Sequence, residues 1–175
     1  MKNRTKELCL MALMTAMVMI AIMCLQIPIP AVNGYVHLGD GIIFISVILL
    51  GRKNGALAGA LGACLADVIT GYVLWAPFSL VIKALMAFVC GKIAEKDKKE
   101  KLISPVKLLG IAAAICISAG GYYLVGAMFT GSFASAIYSI PLNLLQGGMG
   151  LAIYCALAGI FTPYKKAMGI RKPKA

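Results

Sequence analysis

Lys83 is the one basic residue set inside an apolar run, and Asp40 and Asp67 are the only acids outside the chain's ends and charged loops. A charge inside an apolar membrane segment costs at least about 2.5–3.5 kcal/mol, so such groups face a bundle interior and pair, or meet a polar ligand. Asp67 precedes and Lys83 follows the same turn at similar depth. That placement predicts an Asp67–Lys83 bridge between neighbouring helices, with ligand contact by either as the functional alternative. His37, the only histidine, and Asp40 lie where a loop enters a helix. Asp40 reads as a helix cap, because the helix dipole favours an anion there; His37 reads as a donor to substrate or as a loop tie. Tyr35, Tyr72 and Trp75 lie in connecting segments, where aromatic rings anchor helices at a membrane surface and can also stack on a flat heterocycle. Tyr122 follows Gly120 and Gly121, and Asn143 and Gln146 share a helix face by their i, i+3 spacing. Amides inside a span want partners, which a ring nitrogen of a ligand or a neighbouring helix can supply.

All of this is binding chemistry. There is no Walker-type phosphate loop, no pair of neighbouring carboxylates, no metal-ligand cluster and no nucleophile triad. No cofactor or metal is expected. The cysteines, Cys9, Cys24, Cys64, Cys90, Cys116 and Cys155, stand singly in apolar segments without a C-x-x-C pair. They are expected to pack as small apolar residues.

Composition names the solvent. With 61% hydrophobic and 13% charged residues and a mean hydropathy of +0.92, a chain of 175 residues has too little polar surface to enclose its core in water. Six apolar segments are expected: Leu8 to Ile27, Gly41 to Gly51, Gly55 to Gly71, Pro77 to Ala94, Val106 to Phe129 and Ala134 to Thr162. The first is about 20 residues, enough for a hydrocarbon core of about 30 Å; the second is short for a full span. Pro28 and Pro30 should end the first helix and leave Ala31–Leu38 as a loop, and Pro141 should kink the last. The expected fold is an all-α bundle of six transmembrane helices over residues 1–164, followed by a basic tail, 165–175.

The charges orient it. Three basic residues precede the first span, Arg52 and Lys53 join the second to the third, six flank the loop around Glu95–Lys101, and five follow the last span. Only Lys83 stands apart, so the positive-inside rule puts both termini and every basic loop in the cytoplasm. The same clustering argues against nucleic acid as the partner of the +11 net charge. Gly55, Gly59 and Ala63 form a small-xxx-small stripe suited to close helix packing, and Ala12 and Ala16 repeat the spacing in the first span.

With these residues in view, the chain resembles the substrate-binding S components of energy-coupling factor (ECF) vitamin transporters. The resemblance rests on GYVHLGD at 34–40, GALAGALGACLAD at 55–67, GY at 71–72, and AP and IK at 76–77 and 82–83. Ala84 stands where members often carry glycine after IK. The resemblance implies a prokaryotic plasma-membrane bundle with an outward-facing pocket and the first outer loop as its lid. It further implies a transmembrane T component and two ATPases as partners, with Ala12 and Ala16 on the docking face. Tyr35, His37, Tyr72, Trp75 and Lys83 would form the mouth and wall, with Asn143 and Gln146 at the floor. Lys83 or His37 would suit a ligand with an acidic hydroxyl. Pyridoxine or a hydroxymethylpyrimidine is expected, then riboflavin. The competing expectations are a stand-alone importer or channel and, less suited to the residues, a small membrane enzyme or assembly factor.

Overall fold

The structure, a computed structural model, describes residues 2–29, 34–97 and 101–167. Pro30, Lys98, Lys99, Glu100 and the tail from 168 lie outside the described residues. Helix α1 spans Lys2–Cys24, strands β1 and β2 span Gln26–Ile29 and Gly34–His37, and α2 spans Asp40–Ile69. They are followed by α3 (Ala76–Ala94), α4 (Pro105–Thr130), the single turn α5 (Phe133–Ala136) and α6 (Ser139–Ala167).

The first helix ends at Cys24, three residues before its expected end at Ile27, and part of the expected loop Ala31–Leu38 is strand. The β1–β2 pair is antiparallel, with Gln26 opposite His37 and Pro28 opposite Tyr35. The cause is local. Pro28 and Pro30 push Ile27 and Ile29 out of the helical region into extended backbone, and Q-I-P-I then pairs with the following G-Y-V-H. Gln26 Nε2 donates to Thr70 Oγ1 (3.3 Å), tying the hairpin to the end of α2.

Helix α2 is two helical arms joined at Gly51, whose φ of 82° and ψ of 172° are a conformation nearly confined to glycine. The chain reverses there. A Cβ at Gly55 would lie 2.4 Å from Val47 Cα, and one at Gly59 would lie 2.8 Å from Ile43 Cγ2. In a straight helix those pairs would stand about 12 and 24 Å apart. Ser46 Oγ also reaches across to the Gly55 carbonyl (3.3 Å). The small residues Gly55 and Gly59 therefore pack one arm on the other, as their spacing suggested, and Gly62 meets Thr15 and Val18 of α1.

Among the described residues, five helical stretches are long and apolar enough to cross a membrane, with α2 counted as one. The core is formed by Val18, Ile22, Ile43, Phe44, Ile45, Met86, Cys90, Ile111 and Tyr154. Leu13, Leu65, Val81, Leu109, Leu145 and Ile160 are exposed around the outside, as expected of a surface solvated by lipid. Of the cysteines only Cys90 is buried; Cys9, Cys24 and Cys116 face outward. Pro141 does not kink α6. The chain breaks before it, between α5 and α6, and Pro141 falls in the first turn of α6, where a missing N–H is cheap. At the far end of α3, Arg52 pairs with Glu95 (3.3 Å) and Lys107 with Asp97 (3.1 Å).

The close approach at Gly55 sets a measurable constraint. A Gly55→Ala variant should lose about 1–3 kcal/mol through overpacking and melt earlier in detergent. Gly148→Ala, where a Cβ meets nothing within 4 Å, should melt like the parent.

Candidate functional site

Lys83 does not pair with Asp67. Its Nζ donates to Asp40 Oδ1 at 2.6 Å, with both side chains essentially inaccessible. Asp40 is accordingly not a cap. Gly39 occupies the cap position, no side chain caps the helix, and Asp40 sits in the first turn with its carboxylate turned inward. Glycine permits this approach: a Cβ at Gly41 would lie 2.6 Å from Ile153, and one at Gly150 would lie 2.8 Å from Asp40 Cβ. With α2 and α6 this close, Gln146, one turn before Gly150, donates from Nε2 to Asp40 Oδ2 (2.9 Å). Gln146 Oε1 accepts the His37 backbone N–H (3.0 Å), and His37 Nδ1 accepts the Gly39 N–H (3.0 Å). Close packing of Gly121 on Ile82 brings α4 in as well. Ser118 Oγ lies 3.5 Å from Lys83 Nζ, and the Tyr122 ring lies 5.2 Å from it. One polar network thus joins β2, α2, α3, α4 and α6.

Asp67 has a different partner. Tyr35 OH donates to Asp67 Oδ1, while Asp67 Oδ2 is buried with no hydrogen-bond partner. Tyr35 stacks at a tilt against Tyr72 (4.6 Å between centroids). Burial first, and then the Asp67 charge, push the Tyr35 phenol well above its ordinary range, so it stays a donor. His37 is pushed down to about 3, by burial first and then by Lys83, with Asp40 opposing. The imidazole is therefore neutral near pH 7. Because Nδ1 accepts from Gly39, the ring proton sits on Nε2.

These groups surround a partly open cavity lined by Tyr35, His37, Asp67, Trp75, Tyr122, Asn143 and Gln146, together with Ile22, Gly34, Ala63, Ser79 and Ser139. About 30 Å³ is open to the centre of a water-sized sphere, room for roughly two waters. Asp40 and Lys83 stand behind this wall, neutralising each other, and Tyr72 backs Tyr35. Lys83, expected at the mouth and wall, is not among the residues that line this cavity, and its charge is matched by Asp40. Trp75 is not an exposed anchor. It is 7% exposed, 5.9 Å from Tyr122 and edge-on to Phe129 at 4.9 Å. Asn143 donates to the Ser139 carbonyl (2.9 Å). Ser79, which accepts from Tyr122 OH (3.0 Å), and Ser139 were absent from the sequence reading. Both stand four residues before a residue it named, Lys83 and Asn143, and so on the same helix face. Ala12 is exposed and Ala16 half-buried on α1, away from the cavity.

The model of the family "ECF-type riboflavin transporter, S component" matches residues 2–165. The chain belongs to that family. Among curated proteins, this S component is 33% identical to an uncharacterised protein of Pyrococcus woesei, over 76% of this chain and 91% of the other. It is 28% identical to the thiamine precursor transporter HmpT of Lactococcus lactis subsp. cremoris, over 94% and 90%. It is a multi-pass membrane subunit of a transporter for a vitamin or vitamin precursor, and not an enzyme.

Two outcomes follow from this geometry. Lys83→Met leaves Asp40 buried and unpaired, which should cost about 3–5 kcal/mol, and Asp40→Asn combined with Lys83→Met should recover part of it. Thermal unfolding of the single and double variants in detergent reads the difference. The second concerns His37, which in the folded state resists protonation down to about pH 3, against 6.5 for the free side chain. The unfolded chain then holds the extra proton between those values, so stability falls as pH drops below about 6.5 and is level above it. Melting profiles at pH 5 and 7.5 should show that loss, and His37→Gln should reduce it.

Proposed function

We propose that this S component captures a single-ring aromatic vitamin or precursor, with a hydroxymethylpyrimidine or pyridoxine ahead of riboflavin. The observation that carries the reading is the small cavity walled by Tyr35, Trp75 and Tyr122 and furnished with Asp67, His37, Asn143 and Gln146. Aromatic faces hold a flat ring, and a few placed polar groups orient it. The likeness to a thiamine precursor transporter supports the same choice.

The cavity lies at the Trp75 end of α3, and the basic groups Arg52 and Lys107 gather at the Glu95 end. Under the positive-inside rule the cavity faces outward in a prokaryotic plasma membrane, with both termini inside. The reversal at Gly51 supports counting the two arms of α2 separately, which makes six segments. The first arm is about 16 Å long at 1.5 Å per residue, so it penetrates without crossing. Residues 1–164 then form one domain, and the basic tail from 165 lies in the cytoplasm. The exposed Ala12 and half-buried Ala16 are the docking face for a transmembrane T component, itself driven by two ATPases. No nucleic acid partner is needed to account for the charge.

Reconstitution separates this from a stand-alone importer. Alone in proteoliposomes the protein should bind its ligand tightly without net uptake, and uptake should require the T component, both ATPases and ATP. Uptake without partners would sink the proposal. An Ala12→Leu/Ala16→Leu variant should retain binding and lose at least about tenfold in coupled uptake.

A further inference from the structure

The cavity is electrostatically unbalanced. Lys83 is matched by Asp40 at 2.6 Å, and the neutral His37 imidazole adds no charge. Among the described residues, no lysine or arginine lines the cavity. Asp67 therefore brings a carboxylate, 4% exposed, whose Oδ1 is held by Tyr35 OH and whose Oδ2 has no donor. Ser79 lies beside the same carboxylate as a weak hydrogen-bonding neighbour, and Oδ2 is left without a well-formed hydrogen bond. Elsewhere in the site Asp40 is held by Lys83 and Gln146, Gln146 Oε1 by the His37 backbone N–H, and Ser79 by Tyr122. A buried carboxylate oxygen with neither a donor nor a counter-charge is costly, so Oδ2 marks where an incoming donor belongs.

We infer that Asp67 is the specificity-determining residue and that it takes the amidine edge of a heterocycle, an exocyclic amino group beside a basic ring nitrogen. This rests on the reading of the cavity as the ligand site of the S component. The edge matches the vacancy in three ways. It offers N–H donors in the plane of the ring, as a guanidinium offers them to a carboxylate. It accepts a proton, so it brings the positive charge the cavity lacks. Its flat ring can lie against Tyr122 and Trp75, whose faces favour a cation. The alternatives fit worse. An acidic ring hydroxyl would set a second negative charge against Asp67. The imide edge of a flavin has one N–H between two carbonyls, whose oxygens would be driven at the carboxylate.

Trp75 is the only tryptophan and lines the cavity, so its fluorescence reports binding in the purified full-length protein. Four probes decide the question: the amino-bearing hydroxymethylpyrimidine, the same ring with oxo in place of amino, pyridoxine, and riboflavin. The aminopyrimidine should bind tightest, with the oxo analogue about 100-fold weaker or more, because the oxo ring keeps one ring N–H but cannot take a proton readily and turns its carbonyl oxygen on the carboxylate. Asp67→Asn should weaken the aminopyrimidine by about 10- to 100-fold and affect the oxo analogue much less. If Asp67→Asn does not fold, the four wild-type titrations decide by themselves. Equal affinity for the amino and oxo rings, tighter binding of pyridoxine or riboflavin, or a folded Asp67→Asn variant with undiminished affinity would overturn the role of Asp67 and leave the S-component reading standing. Binding of none of the four would overturn both the role of Asp67 and the proposed single-ring vitamin as the ligand of this cavity.

Discussion

The Asp40–Lys83 pair is the interaction on which the rest of the bundle depends. Two opposite charges with essentially no solvent access cannot separate without leaving one of them bare in an apolar interior, so the groups that satisfy them are fixed in turn. Gln146 is held by Asp40, His37 by Gln146, and the entry to α2 by His37 through Gly39. That chain of dependence ties the hairpin to α6 and sets the height of the cavity. The pair is poor evidence of net stability, since desolvation offsets much of its attraction. What it enforces is register: α2, α3 and α6 satisfy it in one arrangement.

Glycine makes the arrangement possible. Helices that must bring a carboxylate, an amide and an ammonium together need their backbones near contact, and Gly41, Gly121 and Gly150 each stand where a Cβ would intrude on a neighbour. Gly51 does something else. Its backbone conformation turns the chain between two helical arms, so the small-residue stripe of the second arm folds onto the first. Helix packing in lipid lacks the hydrophobic drive available in water and leans on such fits.

Much of this was legible in the sequence. Apolar run lengths located α1, α3, α4 and α6, and the isolation of Lys83, Asp40 and Asp67 marked the residues that matter. Partner choice was not legible. Asp67 and Lys83 stand at similar depth on adjacent segments, and depth alone made them a pair. It could not show that Asp40, from the helix entry, reaches inward through a gap opened by two glycines, nor that Tyr35 would claim Asp67. The hairpin was missed for a related reason. Q-I-P-I-P was read for what proline ends, the helix, rather than for the extended backbone that it enforces on its neighbours. Trp75 was read from its place beside a turn, which says nothing of the Phe129 and Tyr122 rings that bury it.

The groups that make this chain an S component and the group that would choose its ligand are separable. The GALAGALGACLAD stripe and the glycines bring helices together and are indifferent to what the cavity holds. The Asp40–Lys83–Gln146 network is closed on itself and offers a ligand little. What remains open is the Asp67 carboxylate, at the end of that same stripe and facing a small cavity. A family whose name points to riboflavin, and a relative that carries a thiamine precursor, can therefore share one bundle: the bundle is fixed by packing and by a saturated ion pair. Selectivity can then change through a few cavity residues that the packing does not need. In this chain the open acceptor is an acid, and a buried acid without a donor asks for a cation or a strong donor before it asks for a larger ring.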